Sequence, residues 1–236
     1  MSPDHAFFIE PNSVTGQSFI LDKEESHHAS HVLRMKVGTV IRLLDGTGNG
    51  YTAEIKKLGT HVSGHIIETI PQLGENTTPI HLALGLIKRD RFELALEKAT
   101  ELGVQSITPL ILDRCIKRSV NLERSRKQII AASKQCQRSY FPAVHQPISL
   151  NEWINSTTNE IRIGCFIGSE TPISNVAKMF PSKPLHIIIG PEGDFSEPEL
   201  KLLIENQIVP VNLGPRRLRA ETAVMAALAV LNETTN

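Results

Sequence analysis

The chain has 236 residues, of which 40% are hydrophobic and 21% are charged, and its 25 Lys or Arg residues balance its 25 Asp or Glu residues. This length fits one large or two small globular domains, and with balanced charge the net charge alone does not indicate a nucleic-acid partner. No run approaches eighteen apolar residues and no charged-then-apolar leader opens the chain, so we expect neither a membrane span nor a secretory signal. The three cysteines, Cys115, Cys136 and Cys165, form no CxxC pair, which favours reduced thiols in a cytoplasmic protein.

The first seventy residues have the pattern of a small, mostly antiparallel β barrel. Strands are predicted at residues 6–9, 18–21, 40–45, 51–56 and 62–70. Residues 22–25 have capping-box spacing and predict a helix that continues to about residue 33. The Gly-x-Gly-x-Gly run at residues 46–50 precedes a strand rather than a helix, which favours a hairpin turn over a phosphate loop. His27 and His31 lie one helical turn apart, but no further ligand follows at suitable spacing, so we predict no metal site.

Residues 71–79 have the Pro, Gly and Thr content of a linker, and we predict a domain boundary between residues 72 and 73. Strands are then predicted at residues 80–86, 104–112, 161–166, 185–189 and 208–213. They alternate with helices predicted at residues 92–102, 122–137, from 149, 173–179, 196–206 and 220–231. This alternation predicts an α/β domain with a parallel sheet and helices on its faces. The last helix is apolar on nearly every face, so the core or a second subunit must cover it.

Two loops in the C-terminal third each follow a predicted strand and precede a predicted helix. They contain Gly190-Pro191 and Gly214-Pro215 together with several charged residues. Ligands of parallel α/β sheets bind beyond the carboxyl ends of the strands, so these loops predict a binding site. The first loop also has a structural explanation, because residues 196–199 form a capping box.

Residues 86–138 carry an excess of positive charge, with twelve Lys or Arg residues against six Asp or Glu residues. A solvated helix face is one explanation of such a run. Because the excess extends over two predicted helices and a loop, it also indicates a basic surface patch.

The two glycine-proline loops resemble the signature of the small-subunit ribosomal RNA uridine-N3 methyltransferases. This family belongs to the SPOUT superfamily of knotted enzymes that use S-adenosyl-L-methionine. The resemblance rests on residues 189–193 and 213–223 and extends to residues 28–34, 45–46, 97–103, 107–109, 135–138 and 142. It implies a PUA-like, RNA-binding β barrel over residues 1–72, a SPOUT domain with a trefoil knot over residues 73–236, and a homodimer. The chain departs from the family pattern at Ala6, Lys134, Gln137 and Asp194.

The resemblance also implies a cofactor site and an RNA substrate. The S-adenosyl-L-methionine site would comprise Gly168, Ser169, Ile189, Gly190, Pro191, Glu192, Gly193, Leu213, Gly214, Leu218, Arg219, Ala220 and Thr222. The substrate would be 16S rRNA or the 30S subunit. From their location in the basic segment, Arg91, Arg114, Lys117, Arg118 and Arg138 are the predicted phosphate contacts, and Arg34 is a further predicted RNA contact. The glycines would let the backbone approach an adenosine closely.

Methylation of uracil N3 requires loss of the proton on that nitrogen, which leaves negative charge on the two carbonyl oxygens. Arg219 is the first candidate to stabilise this charge and Arg216 the second. Glu221 is the candidate proton acceptor, unless its carboxylate only serves the helix N-terminus. Two alternatives stay open: a SPOUT methyltransferase for another RNA position, such as a ribose 2′-hydroxyl, and a non-catalytic RNA-binding ribosome-assembly factor.

Overall fold

The structure is a computed structural model that describes residues 3–157, 159–180 and 183–235. The chain forms two compact units. The first contains Met1–Glu75 and Ile130–Phe141, and the second contains Asn76–Ile129 and Pro142–Asn236. Linker composition predicted a boundary between residues 72 and 73, but nothing in the local sequence indicated that a later segment would pack with the first unit.

The first unit is built on a six-stranded sheet. Its strands are β1 (Ala6–Phe8), β2 (Val14–Thr15), β3 (Ser18–Ile20), β4 (Val40–Leu44), β5 (Asn49–Lys57) and β6 (Ser63–Pro71), in the order β1-β4-β5-β6-β3-β2. The β1–β4 pair is parallel and the other pairs are antiparallel. Helix α1 (Lys23–His27) continues into a π-helical turn, His28–Val32, and the Asp22 side chain caps it by accepting a hydrogen bond from the Glu25 backbone N–H at 2.8 Å.

The glycine-rich run between β4 and β5 forms the predicted hairpin turn. Gly46 and Gly48 have φ angles of 74° and 114°, values that favour glycine. The Asp45 carboxylate accepts hydrogen bonds from the backbone N–H groups of Thr47 and Asn49 at 2.8 and 2.9 Å. The run therefore has turn chemistry and makes no helix N-terminus at which a phosphate could bind.

The second unit is built on a seven-stranded sheet in which every pairing is parallel. Its strands are β7 (Ile80–Gly85), β8 (Ser106–Ile111), β9 (Ala143–Val144), β10 (Ile148–Ser149), β11 (Ile161–Cys165), β12 (Leu185–Ile189) and β13 (Val209–Val211). Its helices are α2 (Arg89–Glu101), α4 (Leu150–Ser156), α5 (Ile173–Met179), α6 (Glu197–Glu205) and α7 (Ala220–Thr235). Helix α3 (Leu122–Cys136) contributes residues to both units. The structure confirms both predicted capping boxes, at Ser149 and Ser196.

The order of the strands in this sheet is β10-β8-β7-β12-β11-β13, with β9 beside β8. Strand β12 therefore lies in the middle, and its isoleucines are buried as expected for a strand covered on both faces. Strands β12, β11 and β13 are neighbours, so the loops that follow them meet at one edge. The trefoil knot implied by the resemblance stays a prediction.

Helix α7 buries Val224, Ala227, Leu228 and Leu231 within the second unit. The core thus covers one face of this apolar helix. That a second subunit covers its remaining apolar residues stays a prediction. Within the described part of the chain, no helix combines the length and the hydropathy that a membrane crossing requires.

Candidate active site

A cavity of about 620 Å³ lies at the carboxyl ends of β11, β12 and β13. Its walls are the three loops that follow these strands and the first turn of α7. Pockets for small molecules and cofactors usually have volumes of about 300–1,000 Å³, so this cavity is large enough for a cofactor. The two glycine-proline loops identified in the sequence thus meet in one site, joined by a third loop that follows β11.

Most of the predicted site residues line this cavity. They are Gly168, Ser169, Ile189, Gly190, Pro191, Glu192, Leu213, Gly214, Arg216, Leu218 and Ala220. Gly193, Arg219, Glu221 and Thr222 are not among its lining residues. The Arg219 and Thr222 side chains are exposed, whereas Glu221 is buried and lies beside Arg91.

Glycine is favoured at these positions of the site for different structural reasons. Gly168 and Gly214 have φ angles of 86° and 100°, and a Cβ atom at either position would enter open space. At Gly193 a Cβ would instead lie 3.1 Å from the Arg114 side chain, and at Gly190 it would lie 3.2 Å from Phe195. The positive φ angles favour glycine at positions 168 and 214, and the open space leaves room for a ligand beside the backbone there, whereas Gly190 and Gly193 make room for neighbouring side chains.

An arginine and two carboxylates form a charged cluster beside the cavity. Arg91 Nη1 lies 3.6 Å from Glu192 Oε1, and Arg91 Nε lies 3.9 Å from Glu221 Oε1. Arg91 was predicted as a phosphate contact, but its guanidinium is beside two carboxylates that already offset its charge. Glu221 is only 6% exposed, and its Oε2 has no hydrogen-bond partner among the described residues. Such a buried oxygen is costly, which makes this cluster a candidate for a chemical role.

Several residues of the cavity were not predicted from the sequence. Arg217 lines the cavity, and its Nη2 donates a hydrogen bond to the Glu192 carbonyl at 3.4 Å. Asn212 also lines it and contacts two of the loops. Cys165 lies on the wall, and burial raises the pKa of its thiol to about 12, so the thiol stays protonated and is a poor nucleophile. Only Arg217 had a sequence signal, since it stands in the same basic run as Arg216.

Asp194, a departure from the family pattern, has a φ angle of 63°. This is the left-handed region that favours glycine but that Asp tolerates better than most residues. Its Oδ1 accepts a hydrogen bond from the Phe195 backbone N–H at 2.9 Å, and its own N–H donates to the Pro191 carbonyl at 2.9 Å. The substitution therefore keeps the turn of the cavity loop.

Two further departures make contacts within the first unit. Lys134 Nζ lies 2.6 Å from Glu25 Oε1. Gln137 has a φ angle of 59°, and its Nε2 donates a hydrogen bond to the Pro3 carbonyl at 3.0 Å. Ala6 lies in β1 opposite Arg42 of β4.

The residues predicted to contact RNA have three different environments. Arg34, Arg114, Lys117 and Arg118 are exposed, as an RNA contact requires. Arg91 belongs to the charged cluster described above. Arg138 is only 2% exposed, and its Nη2 lies 2.5 Å from Glu75 Oε2. The prediction that Arg138 contacts RNA is therefore wrong, because its guanidinium is buried and paired inside the first unit.

Other positive charges of residues 86–138 are also paired. Arg124 contacts Glu93 at 2.6 Å, and Lys98 contacts Glu101 at 2.8 Å. Among the described residues, no three His, Cys, Asp or Glu side chains are grouped as a metal site would need.

Comparison with known proteins adds two family matches. Residues 74–232 match a family model described as an RNA methyltransferase domain, and residues 21–61 match one described as an RNA methyltransferase PUA domain. These matches confirm the predicted fold class, which is a PUA-like N-terminal unit followed by an α/β domain with a parallel sheet.

Individual relatives match over nearly the whole chain. The chain is similar to the ribosomal RNA small subunit methyltransferase E of Rickettsia conorii, with 32% identity over 92% of this chain and 91% of that protein. A crystal structure of the Neisseria gonorrhoeae ribosomal RNA small subunit methyltransferase E bound to S-adenosyl methionine is 29% identical, with a TM-score of 0.89 over 97% of each chain. The Legionella pneumophila putative methyltransferase Lpg2936, solved with the bound cofactor SAM, is 31% identical, with a TM-score of 0.83 over 99% of this chain and 98% of that one.

Proposed function

The chain belongs to the RNA methyltransferase family that includes ribosomal RNA small subunit methyltransferase E, and we propose that it uses S-adenosyl-L-methionine to methylate N3 of a uridine in 16S rRNA. The observation that carries this proposal is the cavity in which both loops of the family signature meet. The two similar structures from N. gonorrhoeae and L. pneumophila contain that cofactor, which supports the same assignment for this cavity.

The residues of the cavity suit a cofactor with an adenosine and a positive sulfonium. Ile189, Leu213 and Leu218 offer apolar surface to a flat purine. Gly214 lets the ligand approach the backbone, because no heavy atom of the described residues, apart from Gly214 and its chain neighbours, lies within 4 Å of the place where a Cβ would stand. The carboxylates of Glu192 and Asp194 line the same cavity and complement a positive charge.

S-adenosyl-L-methionine, when bound, supplies a methyl group on a sulfonium that an attacking nitrogen can accept. The chain must then hold the uracil in line with the cofactor and exclude water from the site, since positioning accounts for much of the rate of such a transfer. Because N3 is a base-pairing atom, the uridine must be unpaired or flipped out of a helix when it reaches the cavity.

We propose roles for the side chains of the cavity that differ from those first predicted from the sequence. All three arginines of this loop are exposed, but Arg216 and Arg217 line the cavity and Arg219 does not. We therefore assign stabilisation of the uracil oxygens to Arg216. Glu192 is the carboxylate at the cavity wall that can take the N3 proton. The buried Glu221 carboxylate lies beside Arg91 and keeps the Arg91 guanidinium next to Glu192.

The RNA surface and the assembly are parts of the same proposal. The exposed segment after β8 carries Arg114, Lys117 and Arg118 around Ile116, which is 84% exposed. Cations beside an exposed apolar side chain suit contact with RNA phosphates and with an unstacked base. We assign 16S rRNA or the 30S subunit as substrate, a cytoplasmic location and a homodimer that covers the remaining apolar residues of α7.

A methylation assay tests the reaction and its position together. Purified protein is incubated with S-adenosyl-L-methionine carrying a radioactive methyl group and with 16S rRNA or 30S subunits from cells that lack the corresponding gene. Because a methyl group on N3 blocks base pairing, primer extension should stop at one uridine. Label in the ribose, detected as resistance of a dinucleotide to alkali, would favour the alternative of 2′-hydroxyl methylation. Tight RNA binding without S-adenosyl-L-methionine binding by calorimetry would favour the assembly factor.

A further inference from the structure

One side chain of the cavity, Asn212, contacts two of the three loops that form the walls. Its Nδ2 donates a hydrogen bond to the Ser169 carbonyl at 2.9 Å, and its Oδ1 accepts one from the Gly214 backbone N–H at 3.1 Å. Ser169 belongs to the loop after β11, and Gly214 belongs to the loop after β13. A single amide therefore joins two walls of the cavity.

The Asn212 backbone joins the same two loops further along. Its N–H donates to the Thr171 carbonyl at 2.8 Å, and its carbonyl accepts from the Ile173 N–H at 3.2 Å. These backbone bonds extend the pairing of the β11 and β13 segments to the beginning of α5. The side-chain amide extends the connection to the residues at the ligand-facing end, Ser169 and Gly214.

We propose that Asn212 is a positioning residue that clasps the loop after β11 to the loop after β13, so that the cofactor cavity is formed before the cofactor binds. This inference rests on the proposed function of the cavity. Gly168 and Gly214, which flank the clasp, have positive φ angles and leave open space. Loops of this kind lose conformational freedom when they bind a ligand, and a link that orders them in advance reduces that loss.

Three variants separate the clasp from a local turn. Asn212→Ala removes both side-chain hydrogen bonds. Asn212→Asp keeps the acceptor for Gly214 N–H but puts a carboxylate oxygen in place of the donor to Ser169. The control is Asn206→Asp, because the Asn206 amide donates a comparable hydrogen bond, to the Leu202 carbonyl at 2.9 Å, at the end of α6 and outside the cavity lining.

Calorimetry with S-adenosylhomocysteine, which lacks the sulfonium charge, measures the effect on binding. We expect Asn212→Asp, which loses one hydrogen bond, to raise the dissociation constant about tenfold, and Asn212→Ala, which loses both, to raise it by about tenfold or more, while the control binds like the wild type. The KM for S-adenosyl-L-methionine should rise by a similar factor in Asn212→Ala, with kcat nearly unchanged, because a saturating cofactor orders the loops by itself. If Asn212 were only structural, Asn212→Ala would lower the melting temperature, and it would not raise KM while leaving kcat nearly unchanged.

Two outcomes would overturn the proposed positioning role of Asn212. Wild-type affinity in Asn212→Ala means that the loops need no link, and wild-type affinity in Asn212→Asp beside weak binding in Asn212→Ala means that the turn at Gly214 suffices. A wild-type protein that binds no S-adenosylhomocysteine contradicts the proposed function itself, before the variants are compared.

Discussion

The stacked histidines of the parallel sheet predict a loss of stability in mild acid. His81 in β7 and His186 in β12 are register partners with ring centroids 4.5 Å apart, and His81 Nδ1 lies 2.8 Å from Ser106 Oγ. Burial lowers the pKa of His186 from 6.5 to about 4, and the nearby His81 and Arg162 act in the same direction. Burial also lowers the pKa of His81, although Glu160 opposes that change.

The direction of this pH effect on stability depends on whether the folded or the unfolded chain protonates His186 more readily. An unfolded histidine takes up a proton below about pH 6.5, whereas folded His186 does so only near pH 4, so acid favours the unfolded chain. The stabilisation is fully present above pH 6.5 and is lost as the pH falls toward 4. A pKa difference is equivalent to about 1.36 kcal/mol per unit, so the lowered pKa of His186 corresponds to a loss of roughly 3 kcal/mol of stability at most. Because the His186 ring is partly exposed to solvent, we expect about 1–2 kcal/mol.

The perturbation is His186→Phe, which keeps a ring on His81 but removes the titrating group. Urea unfolding at several pH values between about 7.5 and 5, with hydrogen exchange to follow β12, measures the free energy of unfolding above the range in which carboxylates titrate. The variant should show a shallower decrease with acid than the wild type. His65→Phe, at an exposed position on β6, is the matched control and should keep the wild-type slope. Equal slopes for the wild type and His186→Phe would refute the reasoning.

Three further predictions address the site and the first unit. Arg138→Met leaves a buried carboxylate unpaired and should lower stability by about 3–5 kcal/mol, measured by thermal unfolding; an unchanged melting temperature would contradict the buried pair. Arg216→Ala should reduce single-turnover methyl transfer by about a hundredfold and Arg219→Ala by less than about tenfold, and the reverse order would restore Arg219 as the catalytic cation. Lys117→Ala with Arg118→Ala should reduce the slope of log binding constant against log salt concentration by roughly 2, and an unaltered slope would remove this segment from the RNA surface.

Local structure could be predicted from the sequence because its causes lie within a few residues. The Ser196 capping box, the turn at Gly46 and the β-branched run of β12 each depend on neighbouring side chains and backbone angles. The cavity was predictable for a related reason, since parallel strands bring the loops at their carboxyl ends to one edge. Eleven of the predicted site residues consequently line the same cavity.

The environment of each charge could not be predicted in the same way. Arg91, Arg118 and Arg138 belong to one basic segment of the sequence, yet Arg91 lies between two carboxylates, Arg118 is exposed and Arg138 is buried against Glu75. The partners of Arg91 and Arg138 lie 63 or more residues away in the chain, so no local pattern identifies them. Solvation and pairing decide what a charged side chain can do, and both depend on residues that only folding brings near.

The sequence by itself determined the longer strands, the caps and the two glycine-bearing loops, because short-range sterics and hydrogen bonding dictate them, whereas the two-residue strands β2, β9 and β10 were not predicted. The tertiary structure decided which arginine reaches the cavity, which carboxylate is buried, and that Asn212 links two walls. These features arise where β11, β12 and β13 end side by side, although the strands are separated along the chain by two helices. Contacts between distant segments are specified by the packing of the whole sheet, and that packing is the physical reason why local sequence could identify the loops but not the roles of their side chains.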